Sequence, residues 1–350
     1  MNLGIFLPNW IGDVVMATPT LRALRARFAD ARLIGIMRPY VAEVLDATPW
    51  LDESIFYLPG AENPELRTWS LIARLRQARL DTVVLLTNSL RTGLLARASG
   101  ARRRVGYVRN GRRWLLTDRL YHRRRHGRWT PSPVLDDYLR LAYVLGCPEE
   151  PPRLELATTA KDERTADEIW RRLDLPPEKE VVVLNSGGAY GAAKLWPTEY
   201  FAALAGRIAR ELHRNVLVIC GPNERSMARQ IVREANHPRV VSLADEAGSI
   251  GLSKACVRRA RLMVTTDSGP RHFAAALDVP VITLFGPTHI AWSENHFPRA
   301  THLQHPLPCG PCQKRTCPLG HHRCMRELTV DEVYRAATAE LSKRHESHAA

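Results

Sequence analysis

The 350-residue sequence lacks any apolar run long enough to cross a bilayer. Stretches such as Val181–Leu184 and Val279–Phe285 fall far short of the roughly 20 residues a helical span needs. Its first residues lack a basic n-region, a long apolar h-region and a cleavage site, and Met1-Asn2 leads straight into a strand-like Leu3–Leu7. That is not a signal peptide, and a cytosolic protein is expected. No G-x-G-x-x-G is present, which weighs against a standard dinucleotide site. Low-complexity segments and short repeats are also absent. Acid is scarce in one place: between Arg97 and Arg128 twelve Arg meet a single carboxylate, Asp118, so this stretch carries +11 of the net +14 and leaves only about +3 elsewhere. Arginine binds phosphate bidentately and is always charged. The run, with Tyr107, Trp114, Tyr121 and Trp129 interleaved, therefore suits an anionic membrane surface, a phosphorylated substrate or nucleic acid, and equally a plain solvated face.

Cysteine is too sparse and too scattered for a disulfide framework in a cytosolic chain of this size. Cys147, Cys220 and Cys256 stand alone. Cys309, Cys312, Cys317 and Cys324 form C-x2-C-x4-C-x6-C with His321 and His322 inside, a set that can hold zinc. The second pair lacks the close spacing of a zinc ribbon, so reduced thiols in a Pro-rich loop fit better, and no metal is assigned.

What is present is a regular alternation of strand and helix. Strands are expected at Leu3–Leu7, Arg32–Met37, Ser54–Tyr57, Thr82–Leu86 and from Arg104, and helices at Val14–Phe28, Tyr40–Ala47, Leu66–Gln77, Ser89–Ala98 and Pro133–Leu145. Breaks at residues 146–152 and 175–180 enclose a charged helix, Lys161–Leu173. The pattern then restarts with strands at Val181–Leu184, Val216–Ile219, Val240–Ser242, Leu262–Val264 and Val281–Phe285, and helices between them. This predicts an α/β protein with two Rossmann-type parallel sheets: an N-terminal domain over 1–160, a linker over 161–180, a C-terminal domain over 181–330, and a helix and tail over 331–350.

In parallel α/β sheets ligands bind outside the carboxyl ends of strands, so the loops after the strands carry the chemistry. Pro8–Asp13 follows the first strand; Gly12 permits a tight turn, and Asp13 is either a helix-capping residue or a carboxylate ready to accept a proton. Asn185–Pro197 offers Ser186, three glycines and Lys194 to a phosphate. It is not a Walker A loop, because no Ser or Thr follows the Lys. Glu224 follows the Val216–Ile219 strand, where an acid can hold ribose hydroxyls or simply start a helix. The stretch Thr265–Thr288 brings Asp267, Ser268, Gly269 and His272 to the start of a small-residue helix, a place that suits the phosphates of a nucleotide or an ordinary βαβ corner.

Together, Asn9-Trp10-Ile11-Gly12-Asp13 with Ala17-Thr18-Pro19, Lys194-Leu195-Trp196-Pro197, Thr266–His272 and the Cys309–Met325 tail resemble glycosyltransferase family 9, the ADP-heptose:lipopolysaccharide heptosyltransferases, over about residues 1–340. The tail looks most like the heptosyltransferase II branch. The resemblance implies a GT-B-like fold whose N-terminal domain holds a lipid acceptor and whose C-terminal domain holds ADP-heptose, with the site in the cleft. It implies inverting transfer of L-glycero-D-manno-heptose to the first heptose of the Kdo–lipid A inner core. Asp13 would be the base. Ser186, Gly187, Lys194, Ser268 and Gly269 would meet the diphosphate, Glu224 the ribose, and Asp267 and His272 would order the phosphate loop. Asn9, Trp10, Arg102, Arg103, Arg104, Arg123 and Arg124 would face the acceptor. Relatives often place hydroxyl residues before the Lys; here Ser186-Gly187-Gly188 leaves backbone donors in their stead. The implied enzyme is cytoplasmic, peripheral on the inner-membrane surface, requires no cofactor and binds no nucleic acid; divalent-cation assistance stays open. The competing readings are a family 9 enzyme using another core acceptor and a basic nucleic-acid-binding protein.

Overall fold

A computed structural model describes residues 1–122, 124–125, 128–188 and 190–343. The described residues form two compact units, one within residues 1–157 with 291–296, the other within residues 158–290 with 297–343. No helix among the described residues is long and apolar enough to cross a membrane.

The first unit is built on β1 (Asn2–Phe6), β2 (Arg32–Met37), β3 (Glu53–Phe56), β4 (Thr82–Leu85), β5 (Arg103–Tyr107) and β6 (Asp118–Leu120). They form a parallel six-stranded sheet in the order β3-β2-β1-β4-β5-β6. A small antiparallel ribbon, β7 (Arg124–Arg125) and β8 (Arg128–Trp129), follows. The helices are α1 (Ile11–Met16), α2 (Thr18–Arg27), α3 (Thr68–Gln77), α4 (Leu90–Ala98) and α5 (Val134–Tyr143). The second unit repeats the plan. β9 (Val181–Asn185), β10 (Asn215–Ile219), β11 (Val240–Ser242), β12 (Ala260–Thr266), β13 (Val281–Phe285) and β14 (Ala300–Gln304) form a parallel sheet in the order β11-β10-β9-β12-β13-β14. Its helices are α6 (Ala160–Arg172), α7 (Thr198–Glu211), α8 (Arg225–Ala235), α9 (Ile250–Arg258), α10 (Pro270–Ala276), α11 (Ile290–Ser293), α12 (Arg323–Arg326) and α13 (Val330–Ser342); of these α11 straddles the division between the units. The expected α/β class with two Rossmann-type sheets is what the chain adopts.

Central strands such as Val-Val-Val-Leu of β9 are buried throughout, because helices cover both faces of a parallel sheet. The anticipated single helix over 14–28 starts earlier, at Ile11, and breaks at Ala17. Pro19 has no N–H to offer the carbonyl one turn back, and the Thr18 hydroxyl donates to that Val15 carbonyl instead, at 2.8 Å. The 40–47 segment is a 3-10 turn over Pro39–Val44 rather than an α-helix. Two strands without an expected counterpart, β6 and β14, are the outer edges of their sheets. α6 packs on α9, fixed by Arg258 and Arg259 on Glu163, both at 2.8 Å.

Each sheet has one place where neighbouring strands lead their connections in opposite directions: between β1 and β4, and between β9 and β12. In such sheets the crevice for a ligand opens there, past the carboxyl ends.

Candidate functional site

In the second unit the loops after β9 and β12 meet at that switch point. Asn185 ends β9 beside Thr265 of β12. Its side-chain amide donates to the Thr265 and Ser268 hydroxyls, both at 2.9 Å. Thr266 Oγ1 donates to the Gly187 carbonyl at 2.9 Å. These bonds staple the Ser186–Gly188 turn to the Asp267–Gly269 turn. A Cβ on Gly187 would lie 2.0 Å from the Glu224 carboxyl, so any larger residue there displaces that carboxylate. Glu224 is held from the other side by the Gly221 N–H at 2.8 Å. Ser186 is fully buried, and its Oγ has no hydrogen-bond partner.

Lys194 crosses to the same point. Its ammonium donates to Asp267 Oδ2 at 2.6 Å and to the Asp267 carbonyl at 3.1 Å, and it lies over the Tyr190 ring at 4.3 Å. Asp267 also accepts from Thr288 Oγ1 at 2.7 Å and faces the fully buried Arg271 guanidinium at 3.5 Å. Burial opposes ionisation of Asp267, but the charges of Lys194 and Arg271 and the Lys194 and Thr288 hydrogen bonds outweigh it and hold the carboxyl well below the usual carboxylate range. Lys194 and Arg271 are two cations around the one Asp267 anion, and the Glu224 carboxylate lies close by over Gly187. Arg271 sits over the Phe285 ring. α10 spans only seven residues, and the Arg271 and His272 amides close onto the Ser268 and Gly269 carbonyls. His272 is buried within that helix.

The cysteine-rich segment forms the outer wall of this site. The Arg315 carbonyl accepts from the Ala193 N–H at 3.0 Å, and the Gln313 carbonyl accepts from Tyr190 OH at 2.8 Å. Gln313 N–H in turn reaches the Pro287 carbonyl, and Gly286 makes room for Met325. The Lys194 loop and the Thr288 turn thus rest on the same support. Amides of the turn after Cys317, that of His322 first, hold its thiol below the usual value. Burial pushes the Cys324 thiol up, helped by Cys312, Cys317 and Cys309. Among the described residues no group of three or more His, Cys, Asp or Glu is arranged to hold a metal.

In the first unit, Asp13 lies in the opening turn of α1, partly exposed. The N-cap position is Trp10, without a side-chain cap, so Asp13 is not the capping residue of this helix. Asn9 Oδ1 is buried with no hydrogen-bond partner, while the Asn9 carbonyl accepts from Tyr40 OH. Tyr138 of α5 is buried, and burial followed by the Asp13 charge pushes its hydroxyl well above the usual value.

The arginines divide. Arg103 donates to Asp118 at 2.7 Å and to the Val144 carbonyl at 3.1 Å. Arg104 donates to the Leu115 carbonyl at 2.7 Å. Both guanidinium groups brace β5. Arg102 is exposed and reaches Asp81 at 3.4 Å; Arg124 is exposed on β7; Arg123 lies outside the described residues. Thr288, Arg271, Asn185 and Thr266 were not anticipated as site residues, although the alternation of strands and loops put all four at strand ends or just past them. Fully buried Arg112 was also unforeseen: it donates to the Tyr107 carbonyl at 2.9 Å, the Thr87 carbonyl at 2.6 Å and Asn88 Oδ1 at 3.0 Å.

Residues 68–323 match the model of glycosyltransferase family 9 (heptosyltransferase). A lipooligosaccharide heptosyltransferase 2 of Campylobacter jejuni is 24% identical over 99% of this chain and 100% of its own length. Among solved structures, that of Escherichia coli ADP-heptose LPS heptosyltransferase II aligns with a TM-score of 0.78 at 23% identity, covering 97% of this chain and 98% of that one. A glycosyltransferase family 9 protein of Veillonella parvula aligns with a TM-score of 0.82 at 22% identity, covering 97% of each chain. This chain therefore belongs to glycosyltransferase family 9, the heptosyltransferases, and is a glycosyl-transferring enzyme.

Proposed function

We propose that this enzyme moves L-glycero-D-manno-heptose from ADP-heptose to the first heptose of the Kdo–lipid A inner core, with inversion, at the cytoplasmic face of the inner membrane. In this reading residues 1–160 take the acceptor, 181–330 take the nucleotide sugar, 161–180 link them and 331–350 form a terminal helix and tail. The observation that supports it best is the Lys194–Asp267–Arg271 cluster at the β9–β12 switch point, a buried cationic site beside a glycine turn and an orphaned Ser186 hydroxyl.

The chemistry follows from these placements. Asp13 accepts the proton of the acceptor hydroxyl as that oxygen bonds to the anomeric carbon. The bond from that carbon to the diphosphate breaks, and ADP leaves with the electron pair. Charge grows on the leaving oxygens, and Lys194 with the Ser186, Gly187, Ser268 and Gly269 groups stabilises it. Asp267 does not touch the diphosphate, which it would repel; it fixes the direction of Lys194. His272 orders the same loop from inside α10. Glu224 holds the ribose hydroxyls, and Asn9 and Trp10 with Arg102, Arg123 and Arg124 meet the acceptor, while Arg103 and Arg104 hold β5 in place. No cofactor takes part in this scheme.

The test is Asp13→Ala assayed against acceptors ending in Kdo, heptose I or heptose II. ADP-heptose affinity should hold within twofold while transfer to the heptose I acceptor drops by about three orders of magnitude or more. Near-normal turnover removes Asp13 as base. Preference of the wild type for another acceptor moves the enzyme to another position in core assembly.

A further inference from the structure

α4 carries apolar side chains on its outward face as well as its inward one. Thr92, Gly93, Leu95 and Ala96 face inward, and Leu90, Arg91, Leu94 and Arg97 face out. Leu90 and Leu94 lie one turn apart, 40% and 46% exposed. On α3, Leu71 and Leu75 are buried while Trp69 in the first turn is 82% exposed. The short turn Arg113–Leu115 lies against α4: Leu115 sits beneath Gly93, where a Cβ would meet it at 2.9 Å, and Trp114 beside it is 62% exposed. α3 and α4 are tied at both ends, by Arg91 Nη2 to Thr68 Oγ1 at 2.6 Å and Arg76 Nε to the Ala98 carbonyl at 3.0 Å. Their outward faces therefore adjoin.

Past Glu62 and Glu65, which are exposed just ahead of α3, the segment that builds this face is short of acid. Thr68–Thr117 contains eleven Arg and one carboxylate, Asp81. Asp81 is already engaged by the Asn2 N–H at 2.8 Å and by Arg102. Arg91, Arg97 and Arg113 have no carboxylate within ion-pair distance among the described residues. Exposed Trp and Leu set among unneutralised Arg is the composition of a surface that lies in a lipid interface. A site for single-stranded nucleic acid would use the tryptophans for stacking but has no use for two outward leucines on a helix.

We infer that the α3–α4 face with Arg113–Leu115 is the surface by which this enzyme rests on an anionic bilayer. Trp69, Leu90, Leu94 and Trp114 enter the headgroup region, and Arg91, Arg97 and Arg113 bind lipid phosphates. This rests on the reading above that the enzyme works at a membrane, and it moves the contact away from Arg103, Arg104 and Arg112, whose guanidinium groups are engaged within the fold.

The experiment is co-sedimentation with vesicles of phosphatidylethanolamine and phosphatidylglycerol, and with neutral phosphatidylcholine vesicles. The proteins are wild type, Trp69→Ser/Leu94→Ser/Trp114→Ser and Arg91→Gln/Arg97→Gln/Arg113→Gln. Wild type should bind the anionic vesicles and release with added salt. Each withdrawn arginine is expected to weaken partitioning about fivefold, so the arginine triple loses on the order of 100-fold, and the apolar triple at least about tenfold. Transfer to a deacylated, water-soluble acceptor should stay within twofold in both triples, which shows that they are folded. Wild type and both triples binding alike overturns this face and leaves the membrane reading standing. Wild type ignoring anionic vesicles overturns the membrane reading itself, and the face with it.

Discussion

The pairing of Lys194 with Asp267 makes a quantitative claim that a double-mutant cycle can break. Asp267→Asn keeps the shape of the side chain and removes the carboxylate that pairs with both Lys194, whose side chain is 11% exposed, and Arg271, which is fully buried. Breaking a buried ion pair by deleting one partner costs about 3–5 kcal/mol, because an uncompensated charge stays behind. Lys194→Gln should cost less, about 2 kcal/mol, because Asp267 retains Thr288 at 2.7 Å and Arg271 at 3.5 Å. The double variant has no pair left to lose, so the two effects should fall short of additive by about 2 kcal/mol. Urea denaturation at pH 7.5, followed by tryptophan emission and far-ultraviolet circular dichroism, supplies the three differences. Additivity within about 0.5 kcal/mol refutes the clamp.

Acid supplies an independent arm. The Asp267 carboxyl is depressed in the folded state relative to an unfolded value of about 3.9. Its contribution is therefore fully present above that unfolded value and is lost as pH falls through the lower folded one. The gap in stability between wild type and Asp267→Asn should be flat from pH 8 to about pH 5 and close only below about pH 4. A gap that closes near neutrality assigns the effect to a different group.

Two further substitutions probe the framework. Gly187→Ala places a methyl 2.0 Å from the Glu224 carboxyl, so Glu224 must swing off the Gly221 N–H; ADP affinity by calorimetry should weaken by about tenfold or more, and stability by about 1–3 kcal/mol. Adding Glu224→Ala should restore most of that stability by reopening the space, and failure to do so places the strain elsewhere. Arg112→Gln strands the Tyr107 and Thr87 carbonyls and Asn88 Oδ1, and should lower stability by about 3 kcal/mol or more, whereas Arg119→Gln on the exposed surface should stay within about 0.5 kcal/mol. Equal urea midpoints for the two variants would mean the Arg112 bonds carry no net weight.

Local pattern made much of this molecule legible, and its failures have physical causes. Central strands announce themselves because both faces are buried, as in β9 and β10. β6 and β14 close the sheets with one edge unpaired; β14 is only partly buried along its whole length, and Ala-Thr-His-Leu-Gln carries no continuous apolar run. Within the site, the residue types were visible as glycine, lysine and carboxylate loops after strands. Their partnerships were not. Lys194 and Asp267 are 73 positions apart and meet because β9 and β12 are neighbours in the sheet, a fact set by strand order rather than by either loop.

The arginine run shows why composition alone misplaces an interface. A guanidinium offers five donors, and these serve a backbone carbonyl as readily as a lipid phosphate. What separates the two uses is the shape around each residue. Arg103 and Arg104 lie on a strand whose neighbours present Asp118 and the Leu115 carbonyl, and Arg112 enters a pocket whose four acceptors take its donors. Burial lowers the Arg112 guanidinium to about 10, still well above neutral pH, so it remains charged and bonded. Arg97 and Arg113 lie where the helix and turn offer no carboxylate, and Arg91 spends one donor on Thr68 Oγ1; all three stand next to tryptophan and leucine side chains that water does not favour. Charge density along the sequence counts both sets alike. The second set, with the apolar side chains it frames, keeps more of its donors for something outside the chain.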